Sequence, residues 1–502
     1  MIRLARVDPL GPLAAAASLV VFLAHGFDGI LSRDLALYSY GAQQAADGVP
    51  PYVSVLNRAG PLAHLVPSLG VLGARLVGID ELFGMRLLML ILSVAIVWLV
   101  YVYVRDLLSS RPAGLAAAAV LLLAQGFVGY ATGGPREKTA LLLFLLCALW
   151  ALLKQRWALA GIFVALATLT WQPVLTAACV TALVSMTALR GRALLGAVTR
   201  YAVGGLGTAA VFLIGFALAG ALEEFLDGFF LINLQYTYQT GLQEVLDENL
   251  EAVQDGYGPG FWVIVVGIAA IVMIALVRLV SEFQRRAPAD MAVVAAGAGC
   301  LTGLIWSFRA FNGWPDAFIL LPFAAAGIGA LLEAIRTRMS ARTGLALMAA
   351  WCVLALGVSL ENSIATRDHR LVEQRASVSD VLRVAGPDAT VLSVGAPQPL
   401  VLDHRTNPVR HQMFLTGLGQ YVDDTYPGGL IGLADWIEAE EPTFITADHP
   451  TWYAWLRPTL EGEYVLVGEA PDWTWFVHRS VGEDMISELQ ATTGLETTPG
   501  LS

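Results

Sequence analysis

The sequence predicts a mostly α-helical, polytopic membrane protein that ends in a small α/β domain. Of its 502 residues, 56% are hydrophobic and 14% are charged, whereas a soluble globular chain carries about 25% charged residues. Apolar runs that could cross, or nearly cross, a bilayer recur as far as residue 360. After about residue 361 these runs shorten and charges become dense. The change in composition predicts a membrane part at 1–360 and a separate domain at 361–485.

The membrane part is predicted to contain about eleven transmembrane helices. They lie at 10–27, 84–104, 113–131, 138–153, 157–170, 173–189, 201–221, 260–280, 291–308, 317–335 and 343–360. The run 61–78 carries His64 and Arg75 with several Gly and Pro, so we expect a re-entrant or interfacial segment there. An uncleaved first span is preferred to a signal peptide, because cleavage would leave the remaining spans to restart their topology.

Basic residues give the orientation of these spans. Half of the 30 Lys and Arg residues fall in loops on one side of the predicted layout. The positive-inside rule then places the N-terminus in the cytoplasm and the C-terminal domain outside the plasma membrane. Counting 61–78 as a span would move Arg105 and Arg111 to the outside and break this pattern. The outer loops are therefore predicted at 27–83, 132–138, 222–260 and 309–316.

The C-terminal domain shows short strand-like runs separated by helical stretches. Strands are predicted at 390–394, 443–446, 464–467 and 473–477, and helices at 429–440 and 450–460. Residues 486–502 are predicted to be a flexible tail.

Composition and motifs exclude several classes of function. The net charge of −11 argues against a nucleic-acid partner. The four cysteines all fall inside apolar runs, so we expect neither a disulfide nor a cysteine metal site. The sequence contains no P-loop and no dinucleotide-binding fingerprint, so nucleotide-driven transport is unsupported.

The first outer loop carries the acid that we consider the best catalytic candidate, Asp34. Apolar residues at helical spacing predict a short helix over 34–47, stopped by Gly48 and two prolines. At its start, Asp34 could act as general base toward an acceptor hydroxyl. Its position alone favours a helix N-cap, because Asp is a preferred residue there and caps are common. Asp28 is the second candidate, with the same two interpretations.

Basic and aromatic residues of the outer loops are candidates for substrate binding. Arg58, which follows Asn57, could pair with a phosphate or could be an interfacial side chain that reaches toward water. Arg309 could bind a phosphate, and Trp314 could stack on a sugar or anchor the chain at the interface. Asp316 closes the same turn.

Three consecutive charged residues, Arg136, Glu137 and Lys138, lie between two apolar spans. Such charges are costly near a bilayer unless they are paired or solvated. Glu137 could orient a sugar or share a metal ion with Asp34. The alternative is a solvated turn with a local ion pair.

Several of these stretches together resemble a known family. Its features here are Asp34, Tyr38, Tyr40, Gly48, Pro51-Tyr52 and Arg58-Ala59-Gly60-Pro61, the acidic second loop with Glu137, the run LATLTWQPVL at 166–175 and the turn 309–322. In this order they resemble GT-C fold glycosyltransferases that use lipid-phosphate sugars, the superfamily of protein O-mannosyltransferases and aminoarabinose transferases. The resemblance covers roughly residues 10–360.

The resemblance implies an inverting glycosyltransferase with a GT-C-like catalytic domain at 1–360. The donor would be a polyprenyl-phosphate sugar drawn from the membrane lipid, and the acceptor an envelope glycan, lipid or protein. Asp34 would be the base, assisted by Glu137. The residues expected to bind substrate are Asp28, Tyr38, Tyr52, Asn57, Arg58, Arg136, Lys138, Gln172, Arg309, Trp314 and Asp316.

Two residues depart from the family pattern. Leu35 stands where a second acid is common, which weakens a metal-dependent version and leaves a divalent cation as an open possibility. Trp171 stands where Lys is common. A flippase for lipid-linked glycans and a non-catalytic scaffold of envelope assembly remain the alternative functions.

Overall fold

The computed structural model describes residues 8–237, 249–282, 288–309, 313–415 and 417–495. The first part of the chain is helical. Its α-helices are α1 (Leu10–His25), α2 (Arg33–Ala46), α3 (Leu62–Val77), α4 (Glu81–Leu108), α5 (Arg111–Leu123), α6 (Gln125–Gly133), α7 (Glu137–Leu153), α8 (Trp157–Thr168), α9 (Val174–Met186), α10 (Gly191–Leu218), α11 (Leu222–Leu226), α12 (Ile232–Gln235), α13 (Asn249–Tyr257), α14 (Phe261–Glu282), α15 (Pro288–Arg309), α16 (Leu321–Arg336) and α17 (Ala341–Ala365). A π-helical turn, Asp227–Leu231, precedes α12, and a 3₁₀ helix, Trp314–Leu320, precedes α16.

The chain is a multi-pass helical membrane protein. Among the described residues, six helical stretches are long and apolar enough to cross a membrane, and α5 and α6 add a seventh if this pair, bent by 73°, counts as one span. Other apolar helices are shorter. With 12 residues, α8 is about 18 Å long, against a hydrocarbon core of about 30 Å. The predicted number of about eleven transmembrane helices is therefore not confirmed.

Local sequence signals explain where several helices begin and end. Helix α2 starts after Ser32 in an extended conformation, and Gly48 in a left-handed conformation follows its end, as the helix predicted at 34–47 requires. The Asp80 side chain accepts a hydrogen bond from the Phe83 N–H and caps α4. The run 61–78 forms α3, a short apolar helix with Pro67 inside it. Its interfacial position stays a prediction.

The second part of the chain is a small α/β domain. Its elements are α18 (Arg370–Ala385), β1 (Val391–Val394), α19 (Gln398–Leu402), α20 (Leu418–Thr425), α21 (Gly429–Glu440), β2 (Phe444–Ala447), α22 (Arg457–Glu463), β3 (Tyr464–Ala470), β4 (Trp473–His478) and α23 (Glu483–Thr493). The sheet order is β1-β2-β4-β3; β1 and β2 are parallel, and the other pairs are antiparallel. The four predicted strands are confirmed.

Two predictions for this domain are wrong. In place of one helix over 450–460 there is a 3₁₀ turn, Pro450–Trp452, and then α22, which begins later because Pro458 suits the first turn of a helix. The tail predicted from 486 is helical up to Thr493, and Leu489 of α23 is fully buried against the domain core. The residues 496–502 of that tail lie outside the described chain, as do 238–248 and 310–312 of the predicted outer loops.

The helix α2 joins the two parts of the protein. Its residues Leu35 and Tyr40 belong to the same buried core as Leu392 and Phe444 of the sheet. The Tyr40 hydroxyl also accepts a hydrogen bond of 3.0 Å from the Asn407 N–H. The start of α2, where Asp34 lies, is therefore held between membrane helices and the α/β domain.

Candidate active site

A cavity of about 400 Å³ lies where α2, the loop after it, the second outer loop and the α/β domain meet. Its polar lining residues are Arg33, Asp34, Tyr38, Asn57, Arg58, Arg136, Glu137, Gln172, Thr176, Asn233, Thr237 and Asp316. Its apolar lining residues include Trp171, Leu175, Trp306, Met413, Leu415 and Leu418. An apolar concavity with a few convergent polar groups is typical of a small-molecule site.

Asp34 lies in the first turn of α2 and points to two arginines. Its Oδ2 accepts a hydrogen bond of 2.6 Å from Arg136 Nη1, and Arg33 Nε lies 3.5 Å from its Oδ1. The N-cap position belongs to Ser32. The interpretation of Asp34 as a helix cap is therefore wrong, and its carboxylate is directed into the cavity.

The two arginines determine the ionisation of Asp34. Burial raises the pKa of the carboxyl, but the charges of Arg136 and Arg33 outweigh burial and hold the pKa below its ordinary value. Asp34 is therefore ionised at neutral pH and can accept a proton. Its low basicity suits proton transfer late in a reaction, when the acceptor oxygen has become acidic.

The second outer loop holds a compact network of charges. Arg136 Nε lies 3.3 Å from Glu137 Oε2, and Lys138 Nζ lies 3.2 Å from Glu137 Oε1 and 2.8 Å from Asp316 Oδ1. The Lys138 side chain is only 1% exposed, and its Nζ lies 3.3 Å from the centre of the Trp171 ring. The interpretation of this loop as a solvated turn is therefore wrong, because these side chains are buried and paired with one another.

Arg58 lines the cavity from the loop that follows α2. Its carbonyl oxygen accepts hydrogen bonds from Gln172 Nε2 at 3.0 Å and from Asn233 Nδ2 at 2.9 Å. Asn57 Oδ1 accepts a further bond of 3.1 Å from the Ala59 N–H. The backbone around Arg58 is therefore tied to two other segments. Its side chain donates from Nη2 to the Tyr236 carbonyl at 3.4 Å, and the residue lines the cavity.

A close backbone approach at Gly60 holds this loop against 169–170. The Gly60 N–H donates to the Thr170 carbonyl at 3.0 Å, and a Cβ at Gly60 would lie 2.0 Å from the Leu169 carbonyl oxygen.

We expect Gly60→Ala to lower the free energy of unfolding by about 1–3 kcal/mol, measured by thermal unfolding in detergent. Gly73→Ala is the control, because a Cβ there meets nothing within 4 Å. Equal stability of the two variants would contradict the packing argument.

Tyr52 was predicted to bind substrate, but it does not line the cavity. It is fully buried, packs against Phe216 and Phe225, and its hydroxyl donates a hydrogen bond of 2.7 Å to the Ala59 carbonyl. Tyr52 therefore stabilises the loop that contains Arg58 through its hydrogen bond to Ala59, on the side away from the cavity.

Four other predicted substrate residues also lie outside the cavity lining. Asp28 faces the α/β domain, with Oδ2 3.7 Å from His369 Nδ1. Arg309 is exposed at the end of α15. The Trp314 ring stacks on Tyr130, with ring centroids 5.2 Å apart. Lys138 is buried beside Trp171 and does not itself line the cavity. These four residues were predicted to bind substrate from local sequence alone. Their positions outside the cavity lining follow from tertiary contacts that the local sequence does not contain.

Solved structures resemble this arrangement over most of the chain. ArnT from Cupriavidus metallidurans has a TM-score of 0.63 in its apo state and 14% sequence identity, and the match covers 96% of this chain and 98% of that chain. The same protein bound to undecaprenyl phosphate has a TM-score of 0.64 and 14% identity, over 93% of this chain and 97% of that chain.

A second solved relative is the oligosaccharyltransferase AglB from Archaeoglobus fulgidus, in complex with an inhibitory peptide and a dolichol-phosphate. It has a TM-score of 0.55 and 12% identity, over 93% of this chain and 74% of that chain. The chain has the GT-C fold. No family model matches the sequence, and no curated protein matches it either. At these identities the similarity establishes the fold.

Within this GT-C fold, the two departures noted in the sequence have a structural setting. Leu35 is 6% exposed and packs into the core that α2 shares with the sheet, so an acid at this position would be buried. Trp171 lines the cavity. Its ring also contacts the ammonium group of Lys138, which forms an ion pair with Asp316. A basic side chain is thus present beside position 171, although it comes from another helix.

The residues of this cavity do not fit a divalent cation as they are arranged. Asp34 and Glu137 both direct an oxygen to Arg136, so a positive charge already lies between the two carboxylates and would repel a metal ion. Within the described ranges, no group of three or more His, Cys, Asp or Glu side chains could hold an ion.

Several lining residues were not predicted from the sequence as site residues. Some of them come from stretches in which we identified no motif: Arg33, Asn233, Thr237 and Trp306. Others come from the α/β domain: Met413, Leu415 and Leu418. Arg33 was the easiest to find, because it directly precedes the candidate base. The remaining residues reach the cavity only through the tertiary fold.

Proposed function

We propose that the protein is an integral-membrane, inverting glycosyltransferase. It transfers a sugar from a polyprenyl-phosphate donor to a hydroxyl group of an envelope glycan, lipid or protein. The observation that carries this proposal is the ionised carboxylate of Asp34 in one cavity with the guanidinium groups of Arg58 and Arg136. A base and cationic groups for a phosphate are the two things that this reaction needs.

The transfer would proceed in one displacement. The acceptor oxygen attacks the anomeric carbon of the sugar and forms the new glycosidic bond, while the bond from that carbon to the phosphate oxygen breaks. The hydroxyl proton passes to Asp34, and the electron pair of the broken bond leaves with the polyprenyl phosphate. Arg58 and Arg136 would stabilise the charge that develops on the leaving phosphate.

Glu137 would assist the reaction through Arg136 rather than as a second base. Its carboxylate pairs with both Arg136 and Lys138, which keeps Arg136 near the phosphate position. Tyr38, Asn57, Gln172 and Asp316 would contribute polar contacts to the sugar or the phosphate from the same cavity wall.

The similarity to solved structures supports the donor class. One ArnT structure holds undecaprenyl phosphate, and one AglB structure holds a dolichol-phosphate. The apolar wall of the cavity, with Trp171, Leu175 and Trp306, suits a lipid-linked donor that enters from the bilayer. Met413 and Leu418 of the α/β domain line the same cavity, which supports a contact between this domain and the acceptor.

The distribution of basic residues supports the orientation of the site. With the N-terminus in the cytoplasm, the cavity and the α/β domain lie on the outer face of the plasma membrane.

To test the proposal, membranes carrying the protein would be supplied with a panel of labelled polyprenyl-phosphate sugars and native envelope acceptors. We expect one donor of the panel to lose its sugar to an acceptor. If no donor is consumed, the flippase and scaffold functions replace the transferase.

The pH dependence of transfer should report the ion pair of Asp34. Because the arginines hold its pKa below the ordinary value, the native rate should stay level as pH falls from about 7 to about 5. In Arg136→Gln, burial is opposed by Arg33 alone, so the pKa of Asp34 rises and the smaller residual rate should decline within this range. An acid limb at the same pH in both proteins would contradict the pairing.

A further inference from the structure

The α/β domain reaches the proposed base through one arginine. Asp448, directly after β2, accepts a hydrogen bond of 2.9 Å at Oδ2 from Arg33 Nη1. The same guanidinium lies 3.5 Å, through its Nε, from Asp34 Oδ1. Arg33 thus lies between two carboxylates, one from the membrane part and one from the α/β domain. The Asp448 side chain is only 5% exposed, whereas Arg33 is 30% exposed, so the carboxylate of this pair is buried and the guanidinium is half-buried.

The orientation of Asp448 is itself fixed. Its Oδ1 accepts hydrogen bonds of 2.6 Å from the Tyr453 hydroxyl and 2.8 Å from the His449 N–H. Gly395, at the end of β1, leaves room for this group. A Cβ there would lie 2.2 Å from Asp448 Oδ1 and 2.4 Å from the Tyr453 oxygen, at a φ of +79° that favours glycine.

The same domain also holds the backbone that leads into α2. Gln374 Oε1 accepts a bond of 2.8 Å from the Leu31 N–H, and its Nε2 donates to the Leu31 carbonyl at 3.1 Å. Asp368 Oδ2 accepts a bond of 3.0 Å from the Ile30 N–H. The main chain of the segment that leads to Asp34 is therefore held by Asp368 and Gln374, and its Arg33 side chain is held by Asp448.

We propose that Asp448 is a positioning residue for sugar transfer, acting on Asp34 through Arg33; this inference rests on the proposed function. Asp448 shares the charge of Arg33 and holds its guanidinium at a distance from Asp34. Without Asp448, Arg33 is free to pair with Asp34 alone, which misdirects the carboxylate and makes it a weaker base. The α/β domain is then a part of the catalytic unit, in addition to any contact with the acceptor.

Single-turnover transfer, with the donor that the native chain consumes, tests this role. In Asp448→Asn we expect the rate constant to fall about 10- to 100-fold, while the amplitude, which counts competent molecules, stays unchanged. Because Asp448 acts through Arg33, Asp448→Asn should cause no further loss when it is added to Arg33→Gln, so the double variant should match Arg33→Gln. Asp388→Asn, at an exposed carboxylate of the same domain, should match the native chain.

Each alternative gives a different result. An unchanged rate constant in Asp448→Asn, or a lower amplitude with an unchanged rate constant, overturns the positioning role, and the second outcome makes the contact a purely structural one. If Asp448→Asn does not fold, Tyr453→Phe removes one of the two hydrogen bonds that orient Asp448 Oδ1. It should lower the rate constant at unchanged amplitude, and an unchanged rate constant would overturn the positioning role. Absence of transfer by the native chain, or undiminished transfer by Asp34→Asn, instead overturns the proposed function on which the inference rests.

Discussion

Asp34→Asn is expected to lower the rate of sugar transfer by about 10²- to 10⁴-fold, the contribution of a positioned general base. The amide has the size of the carboxylate but cannot accept the hydroxyl proton. The fold should tolerate the change, because Arg136 keeps Glu137 as a partner and Arg33 keeps Asp448. Transfer by matched amounts of protein in native membranes measures the effect.

Asp28→Asn is the matched control for this experiment. Asp28 lies in the same loop, but its side chain is 48% exposed and it does not line the cavity. We expect this variant to transfer sugar at the native rate. Transfer that survives in Asp34→Asn and is lost in Asp28→Asn would assign the base to Asp28 and contradict the geometry.

Arg58→Gln is expected to lower transfer by about 10²- to 10³-fold, the loss found when one group that stabilises developing charge is removed. Part of the loss should appear as weaker binding of polyprenyl phosphate, because Arg58 lines the cavity on a backbone that Gln172 and Asn233 hold. Arg58→Lys should recover only a fraction of the rate, since an ammonium group cannot form a bidentate pair with phosphate.

Arg309→Gln provides the comparison for Arg58. Both arginines were predicted from the sequence to contact the donor phosphate, but Arg309 is exposed and lies outside the cavity lining. We therefore expect Arg309→Gln to bind polyprenyl phosphate and to transfer sugar as the native chain does. A large loss in Arg309→Gln together with a small loss in Arg58→Gln would show that the phosphate site lies elsewhere.

Helices and strands were predictable wherever apolar residues recur at the spacing typical of a helix or a strand. The spacing of apolar residues predicted α2 almost to the residue, and alternating or continuous apolar runs predicted the four strands. The number of spans was less accessible, because helices such as α8 and α9 are apolar throughout but too short to cross a bilayer by their length. Apolar composition alone does not reveal where such helices end.

The composition of the site was partly predictable, but its pairing was not. Arg136 was singled out because charges beside apolar spans are costly unless they are paired or solvated. Asp34 and Arg58 were chosen for their places in the first outer loop and for the resemblance of that loop to the family. The contact of Lys138 with Asp316 joins residues 178 positions apart, and no local pattern contains it. Trp314 illustrates the same limit, because stacking on Tyr130 turns it away from the cavity.

The most direct test of the central claim is the fate of a donor of known anomeric configuration. A labelled polyprenyl-phosphate sugar would be incubated with the protein in membranes, and both the released polyprenyl phosphate and the glycosylated acceptor would be analysed. The account predicts one polyprenyl phosphate released for each sugar transferred, inversion at the anomeric carbon, and loss of both products in Asp34→Asn. Retention of configuration, or consumption of the donor that does not depend on Asp34, would contradict it.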